Sequence, residues 1–343
     1  MKRISDLPIR YVFYPAALLF LVSAFFLESC SSPEDRYEYD SIWSLPSFKK
    51  IEGTSISLTD TNRFYCPLQQ KRIKWNERLS VSCTVVRGKL VYLFYTAQDS
   101  NDVSRIGVAI SGDGIHFSNI NQPILFPAED FMKQYELLGI SNPHIVENEN
   151  GTYLLNYTAY DGKTSRLCFA TSTDLLNWVK QGPAFSDKYF DMDSASGAIL
   201  SRQDGNRIVA EKINNKYWMY FGNKTLFADT SDDLTHWVPV ESNDEGEEKI
   251  ILPIAEISNL NSWPFALKTE QGIVIPFNRE GMASQVLFDI EDPTKVIDRL
   301  QTPFTIAGEP AAKELAGLVT FNNSWLLYYP GADSKICIAT SQP

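Results

Sequence analysis

The chain has 343 residues, 44% of them hydrophobic, with 31 basic residues against 42 acidic and a net charge of −11. So acidic a chain argues against nucleic acid or an anionic lipid surface as partner and suits a neutral ligand such as a glycan. Its length, less a leader, allows one large domain or two small ones.

The chain opens on a basic start, Lys2, Arg3 and Arg10, then an apolar stretch from Tyr11 to Leu27, then Glu28-Ser29-Cys30. This order reads as a secretory signal of the bacterial lipoprotein type over residues 1–29, with Cys30 as the lipidated first residue. The alternatives are a plain signal peptide or a single membrane anchor, although the apolar run is short for a span of about 20 residues. Residues 30–43 read as a polar tether, and its acidic pair Glu34-Asp35 resembles surface-export signals. The expected location is therefore the bacterial outer membrane, with attachment only through the lipid. Residues 44–343 are expected to be the folded body; without the leader's charges, 28 basic residues face 40 acidic ones, a net charge of −12. Cys66, Cys83, Cys168 and Cys337 lack metal-ligand spacing. Buried free thiols are expected there, with one disulfide left open by export.

A repeat organises the rest. Arg105-Ile106-Gly107-Val108-Ala109-Ile110-Ser111 recurs as Arg166-Leu167-Cys168-Phe169-Ala170-Thr171-Ser172, as Leu226-Phe227-Ala228-Asp229-Thr230-Ser231 and as Lys335-Ile336-Cys337-Ile338-Ala339-Thr340-Ser341. A more altered copy is Gln285-Val286-Leu287-Phe288-Asp289. Aligning Ala109, Ala170 and Ala228 gives steps of 61 and 58 residues, a length suited to four strands and their turns. Short β-branched and aromatic stretches between the copies, such as Leu90–Tyr95, indicate an all-β chain. Five such units predict a five-bladed β-propeller, closed by a strand from the amino-terminal region. His116, His236, Phe117, Trp178 and Trp237 lie inside the repeat and read as packing. His144 is the histidine outside it.

In a propeller the functional site lies at the mouth of the channel, where loops from inner strands converge. Asp99 and Asp161 follow matching strands in consecutive units, and Asp333 follows the last. The three are candidates to hydrogen-bond sugar hydroxyls; the alternative is a turn-capping role for each. Trp263, Trp43 and Trp75 are candidates to stack on sugar rings.

Gly139-Ile140-Ser141-Asn142-Pro143-His144, followed by Gly151-Thr152-Tyr153 and Tyr157-Thr158-Ala159-Tyr160-Asp161-Gly162, resembles the mannoside phosphorylases and β-mannosidases of glycoside hydrolase family 130. In that family the motif reads Gly-x-Glu-Asp-Pro-Arg, its Asp supplying the catalytic proton and its Arg helping to hold phosphate. Ser194–Ile199 with Glu211–Tyr220, and Val286–Asp289 with Asp292–Val296, are similar to the family's third and fourth blades. The likeness covers residues 60 to 343. It implies that Asn142 stands at the acid position and His144 at the arginine position. Arg166 and Lys212 fall on two phosphate-binding positions, and a structural ion pair is the alternative for Arg166. The family's Glu-x-Gly-Pro-Pro loop becomes Asn261-Ser262-Trp263-Pro264-Phe265, and the Asp before it becomes Glu256.

Glycoside hydrolysis needs two carboxyl groups, one to protonate the leaving oxygen and one to activate water or attack. An Asn cannot donate that proton. Glu256, Asp191, Asp193 and His144 are the groups available to replace it. The resulting expectation is an inverting hydrolase of a β-linked mannoside or related glycan, without cofactor or metal. A catalytically silent glycan-binding propeller, a phosphorylase of the same family, and a sister propeller acting on arabinose- or fructose-type sugars are the alternatives.

Overall fold

Apolar β-forming runs and serine–aspartate turns fold this chain into up-and-down antiparallel strands. A computed structural model describes residues 43–341, apart from 55, 59–62, 223–224, 243–246, 253–264, 280, 301–302, 310–313 and 332–334. The strands are β1 (Phe48–Lys50), β2 (Arg63–Cys66), β3 (Lys71–Lys74), β4 (Arg78–Arg87), β5 (Leu90–Gln98), β6 (Ser104–Ser111) and β7 (Ser118–Asn119). Next come β8 (Ile140–Glu147), β9 (Tyr153–Tyr160), β10 (Ser165–Ser172), β11 (Val179–Pro183), β12 (Ala198–Asp204), β13 (Arg207–Ala210), β14 (Lys212–Ile213), β15 (Lys216–Phe221), β16 (Phe227–Ser231) and β17 (Val238–Pro239). The last are β18 (Ala266–Lys268), β19 (Ile273–Arg279), β20 (Met282–Phe288), β21 (Val296–Arg299), β22 (Ile306–Ala307), β23 (Gly317–Phe321), β24 (Ser324–Pro330) and β25 (Ile336–Ser341).

Pairing groups these strands into five antiparallel meanders. They are β4-β5-β6-β7, β8-β9-β10-β11, β12-β15-β16-β17, β18-β19-β20-β21 and β23-β24-β25-β1. The outermost strand of the fifth is the amino-terminal β1, with Lys49 opposite Thr340 and Lys50 opposite Ala339. The fold is all-β. In β5 seven consecutive residues are buried, so both faces are covered. The strict alternation of a half-exposed strand is absent for that reason. The five first strands, β4, β8, β12, β18 and β23, contribute Thr84, His144, Ser201, Leu267 and Leu318 to one void of about 20 Å³. β23 approaches β4 so closely that a Cβ on Gly317 would lie 2.4 Å from Thr84 Oγ1.

One turn recurs after the third strand of meanders one to three. Ser111, Ser172 and Ser231 each accept, through Oγ, the N–H three residues on, from Gly114, Leu175 and Leu234 at 2.8–2.9 Å. Asp113, Asp174 and Asp233 accept the next two N–H groups through Oδ1. The third residue of the turn has a left-handed φ of 77°, 68° and 69° in the three copies. His116 and His236 pair with the turn aspartates, and the Trp178 and Trp237 indoles donate to the carbonyls of Leu175 and Leu234. The repeat residues therefore serve local structure. Counting from the serines also corrects the alignment of the third copy: Asp229, not Ala228, takes the position of Ala109 and Ala170.

Cys66, Cys83, Cys168 and Cys337 are buried and unpaired. Burial pushes the Cys83 thiol up to about 12, which removes the thiolate that reactivity needs.

Candidate active site

At one end of the meanders β5 and β9 finish, β6 and β10 begin, and β8 enters. Two adjoining depressions of about 450 and 380 Å³ open there. Both are lined by Gln98, Ser141 and Asn142. The larger adds Asn101, Asp102, Ser104, Leu138, Thr158, Tyr160, Ser165 and Ser196, and the smaller adds Arg78, Ser80 and Thr96. This surface is rich in hydroxyl and amide groups, the donors and acceptors that sugar hydroxyls match.

The position of Asn142 has a structural cause. The β8–β9 register shifts between Ser141 and His144, and Asn142 sits in that bulge with φ of 52°. Asn tolerates the left-handed region better than most residues. The Asn142 N–H donates to Thr96 Oγ1 at 3.0 Å, across to the preceding meander. One meander on, the Ser196 N–H donates to Thr158 Oγ1 at 3.0 Å, and Ser196 has φ of 53°. In the first two meanders a threonine near the end of the second strand thus holds the chain entering the next unit.

Asp99 and Asp161 each cap a turn. Asp99 is 1% exposed; its Oδ1 accepts the N–H of Asn101 and of Val103, and its Oδ2 pairs with Arg105 at 3.0 Å. Asp161 accepts the N–H of Lys163 and of Thr164 and pairs with Arg166 at 2.6 Å. The backbone and Arg166 donors hold the Asp161 carboxyl below the usual range against its partial burial, the largest single influence. Arg166 also reaches Asp191 at 2.8 Å and lies over the rings of Tyr135 and Phe190, so it forms the structural ion pairs.

His144 does not face the depressions. It is 4% exposed, and its Nε2 accepts the N–H of Ile199 at 3.0 Å from the next meander. That bond links two first strands and fixes Nε2 as the acceptor; the expectation of an acid there is corrected. Lys212 lies at the opposite end of its meander. Ala198 pairs with Tyr220, which places Phe221 near Ser196 and leaves Lys216, with Lys212 beside it, at the far end. Lys212 there donates to the Asp232 carbonyl at 3.0 Å, away from any phosphate position at the depressions. Asp193 is exposed beside the site, its Oδ1 accepting the N–H of the lining residue Ser165 at 2.9 Å. Trp43 and Trp75 are buried, 7% and 0% exposed, so neither is a stacking platform. Cys30, Glu256, Asn261, Trp263 and Asp333 lie outside the described residues.

Sequence reading missed Arg78, Gln98, Asp102 and Tyr160. Gln98 and Tyr160 hold the same repeat position, one residue before Asp99 and Asp161, and both line the larger depression. The signal available was that repeat position, whose residue varies between units while its neighbours do not. The rim near Tyr160 is fixed by a buried cluster. Lys180 donates to Glu136 at 2.6 Å and to Asp130 at 2.9 Å, and the Tyr157 hydroxyl donates to Glu136 at 2.8 Å. Burial pushes the Glu136 carboxyl up, with Lys180 opposing. This cluster ties the segment before β8 to the second meander and so sets Leu138 beside Tyr160, whose carbonyl accepts the Leu138 N–H at 2.9 Å.

Residues 46–275 match the family model of glycoside hydrolase family 130 described as β-1,4-mannooligosaccharide phosphorylase. A 1,2-β-oligomannan phosphorylase of Thermoanaerobacter sp. (strain X514) is 27% identical over 282 residues, covering 73% of this chain and 85% of its own length. The structure of a glycosyl hydrolase from Bacteroides ovatus is 32% identical, with a TM-score of 0.79, covering 88% of this chain and 95% of its own. A structure reported with the finding that the family of mannoside phosphorylases contains glycoside hydrolases targeting β-1,2 mannosidic linkages in Candida mannan is 31% identical, with a TM-score of 0.80. It covers 89% of this chain and 96% of its own. With its meanders, its depressions and these likenesses together, the chain belongs to glycoside hydrolase family 130.

Proposed function

We propose that this protein is an exported hydrolase of a β-linked mannoside, with a β-1,2-mannoside the first substrate to test. Residues 1–29 are the proposed lipoprotein signal, Cys30 the lipidated residue, 30–43 the tether, and 44–343 a closed five-bladed propeller. Support for a ring comes from the one void shared by five first strands and from the tight approach of Gly317 to Thr84.

The observation that carries hydrolysis over phosphorolysis is the charge of the depressions. Among the described lining residues the one Lys or Arg is Arg78, and it is paired with Asp102. Phosphate recognition favours cationic forks and several convergent donors. Water as the nucleophile needs none of these cations. The solved neighbour tied to hydrolysis of β-1,2 linkages supports the same choice of chemistry. The expected reaction is a single displacement with inversion, in which an acid protonates the leaving oxygen while water attacks from the other face. Glu256 is the proposed proton donor, since His144 is engaged with Ile199 and Asn142 does not titrate.

Purified protein incubated with β-1,2-mannobiose, with and without phosphate, tests this reading. Free mannose formed at equal rates in both is expected. Mannose 1-phosphate formed only with phosphate contradicts it. Asn142 at the family's acid position favours one second reading, a glycan-binding propeller without turnover; that reading predicts measurable mannobiose binding and no product in either arm.

A further inference from the structure

We infer that Asp102 is a specificity residue that keeps inorganic phosphate off Arg78, and so out of the depressions. The inference deepens the hydrolase reading and rests on it for its purpose. Asp102 stands at the tip of the β5–β6 hairpin with φ of 63° and lines the larger depression. Arg78 begins β4 and lines the smaller one, opposite Gln98, which lines both. The Arg78–Asp102 ion pair therefore stands where the two depressions join.

Folding does not account for this pair. Its side chains are 58% and 73% exposed, and ion pairs that exposed contribute little to stability. Nor does the turn require an acid at that point. Asp99 organises the hairpin by accepting the N–H groups of Asn101 and Val103, and it is itself locked by Arg105. The hairpin of the next meander is one residue shorter, from Asp161 to Arg166, and Asp161 and Arg166 build it with no acid between them. Asp102 is thus an addition to a turn that forms without it, held in place by the buried Asp99.

Its chemical effect follows from charge. A guanidinium presents a planar fork of donors that fits a carboxylate or a phosphate, but not both on one edge. With Asp102 Oδ1 on Nη2 of that fork, an arriving phosphate meets one donor already engaged and a like charge beside it. Exposed unit charges at such distances change an equilibrium by about fivefold in water-like surroundings. Removing the Asp102 charge leaves Arg78 as a free cation at the junction of the depressions.

The test is phosphate binding by calorimetry to the full chain, with inorganic phosphate as the probe and no glycan present. D102N is the informative variant, because Asn accepts a left-handed φ and the site is exposed, so the fold is retained; matched thermal melts check this. D102N is expected to bind phosphate about fivefold more tightly than the wild type. The double variant R78A/D102N is expected to lose the gain. Equal affinity in wild type and D102N, absence of binding in both, or a gain that survives R78A overturns the inference. Because no glycan enters the experiment, its outcome is independent of whether the protein cleaves mannosides, which the mannobiose assay decides separately.

Discussion

At position 142 backbone geometry and chemistry act on one side chain. The bulge demands a residue that accepts φ of 52°, and the N–H is fixed on Thr96. Asn satisfies both demands, as Asp would, while giving up the titratable proton. His144, two residues on, was legible in the sequence as the histidine outside the repeat. Its partner was not, because Ile199 is 55 residues away and belongs to another meander. Asp229 gives the clearest prediction at this scale. It is fully buried, neither carboxyl oxygen reaches a donor in good hydrogen-bond geometry, and burial pushes its carboxyl well above the usual range. The folded state therefore holds a proton that the unfolded chain releases above about pH 3.9. Wild-type stability contributed by this group is fully present below that pH and is lost as pH rises towards the folded-state value. Asp229→Ala, which installs the residue of Ala109 and Ala170, is expected to stabilise the protein at pH 7 by about 1–3 kcal/mol. The gain shrinks towards pH 4 in denaturant titrations; a loss of stability at pH 7 contradicts this account.

Among the elements, the third strand and its turn were the most legible, because Ser, Asp and an aromatic recur at fixed spacing and each has a local partner. The second-strand exits were legible only in part. The sequence placed Asp99 and Asp161 at matching sites, yet left sugar binding and turn capping equally open. The decision lay with Arg105 and Arg166, whose side chains fold back on the same hairpins. The bonds by which Thr96 and Thr158 hold the chain entering the second and third meanders are non-local and were invisible. Thr96→Val keeps the shape and removes the acceptor of the Asn142 N–H, as Thr158→Val does for Ser196. Each is expected to cost about 1 kcal/mol of stability and, because both threonines line the depressions, to raise KM for a mannoside. Thermal melts and steady-state kinetics check the pair. Unchanged melts and KM in both variants contradict the assigned role.

For the whole molecule, five repeats of about the same length foretold five meanders, and the amino-terminal strand joins the last as expected. A repeat is legible because each unit solves the same packing problem. The site is less legible because it uses positions where the units differ: Gln98 against Tyr160, and Asp102 in a hairpin one residue longer than its successor. Its electrostatics depend on which charges are already paired, and sequence does not list pairs. Arg166 looked like an anion ligand and is engaged by two carboxylates, while Arg78 attracted no notice and stands at the junction of the depressions. We propose that these depressions serve inverting hydrolysis of a β-mannoside without phosphate. Proton NMR of β-1,2-mannobiose turnover in phosphate-free buffer, read before mutarotation, tests it most directly. α-Mannose is expected as the first-formed product of the cleaved sugar; β-mannose appearing first, or no turnover until phosphate is added, contradicts inverting hydrolysis.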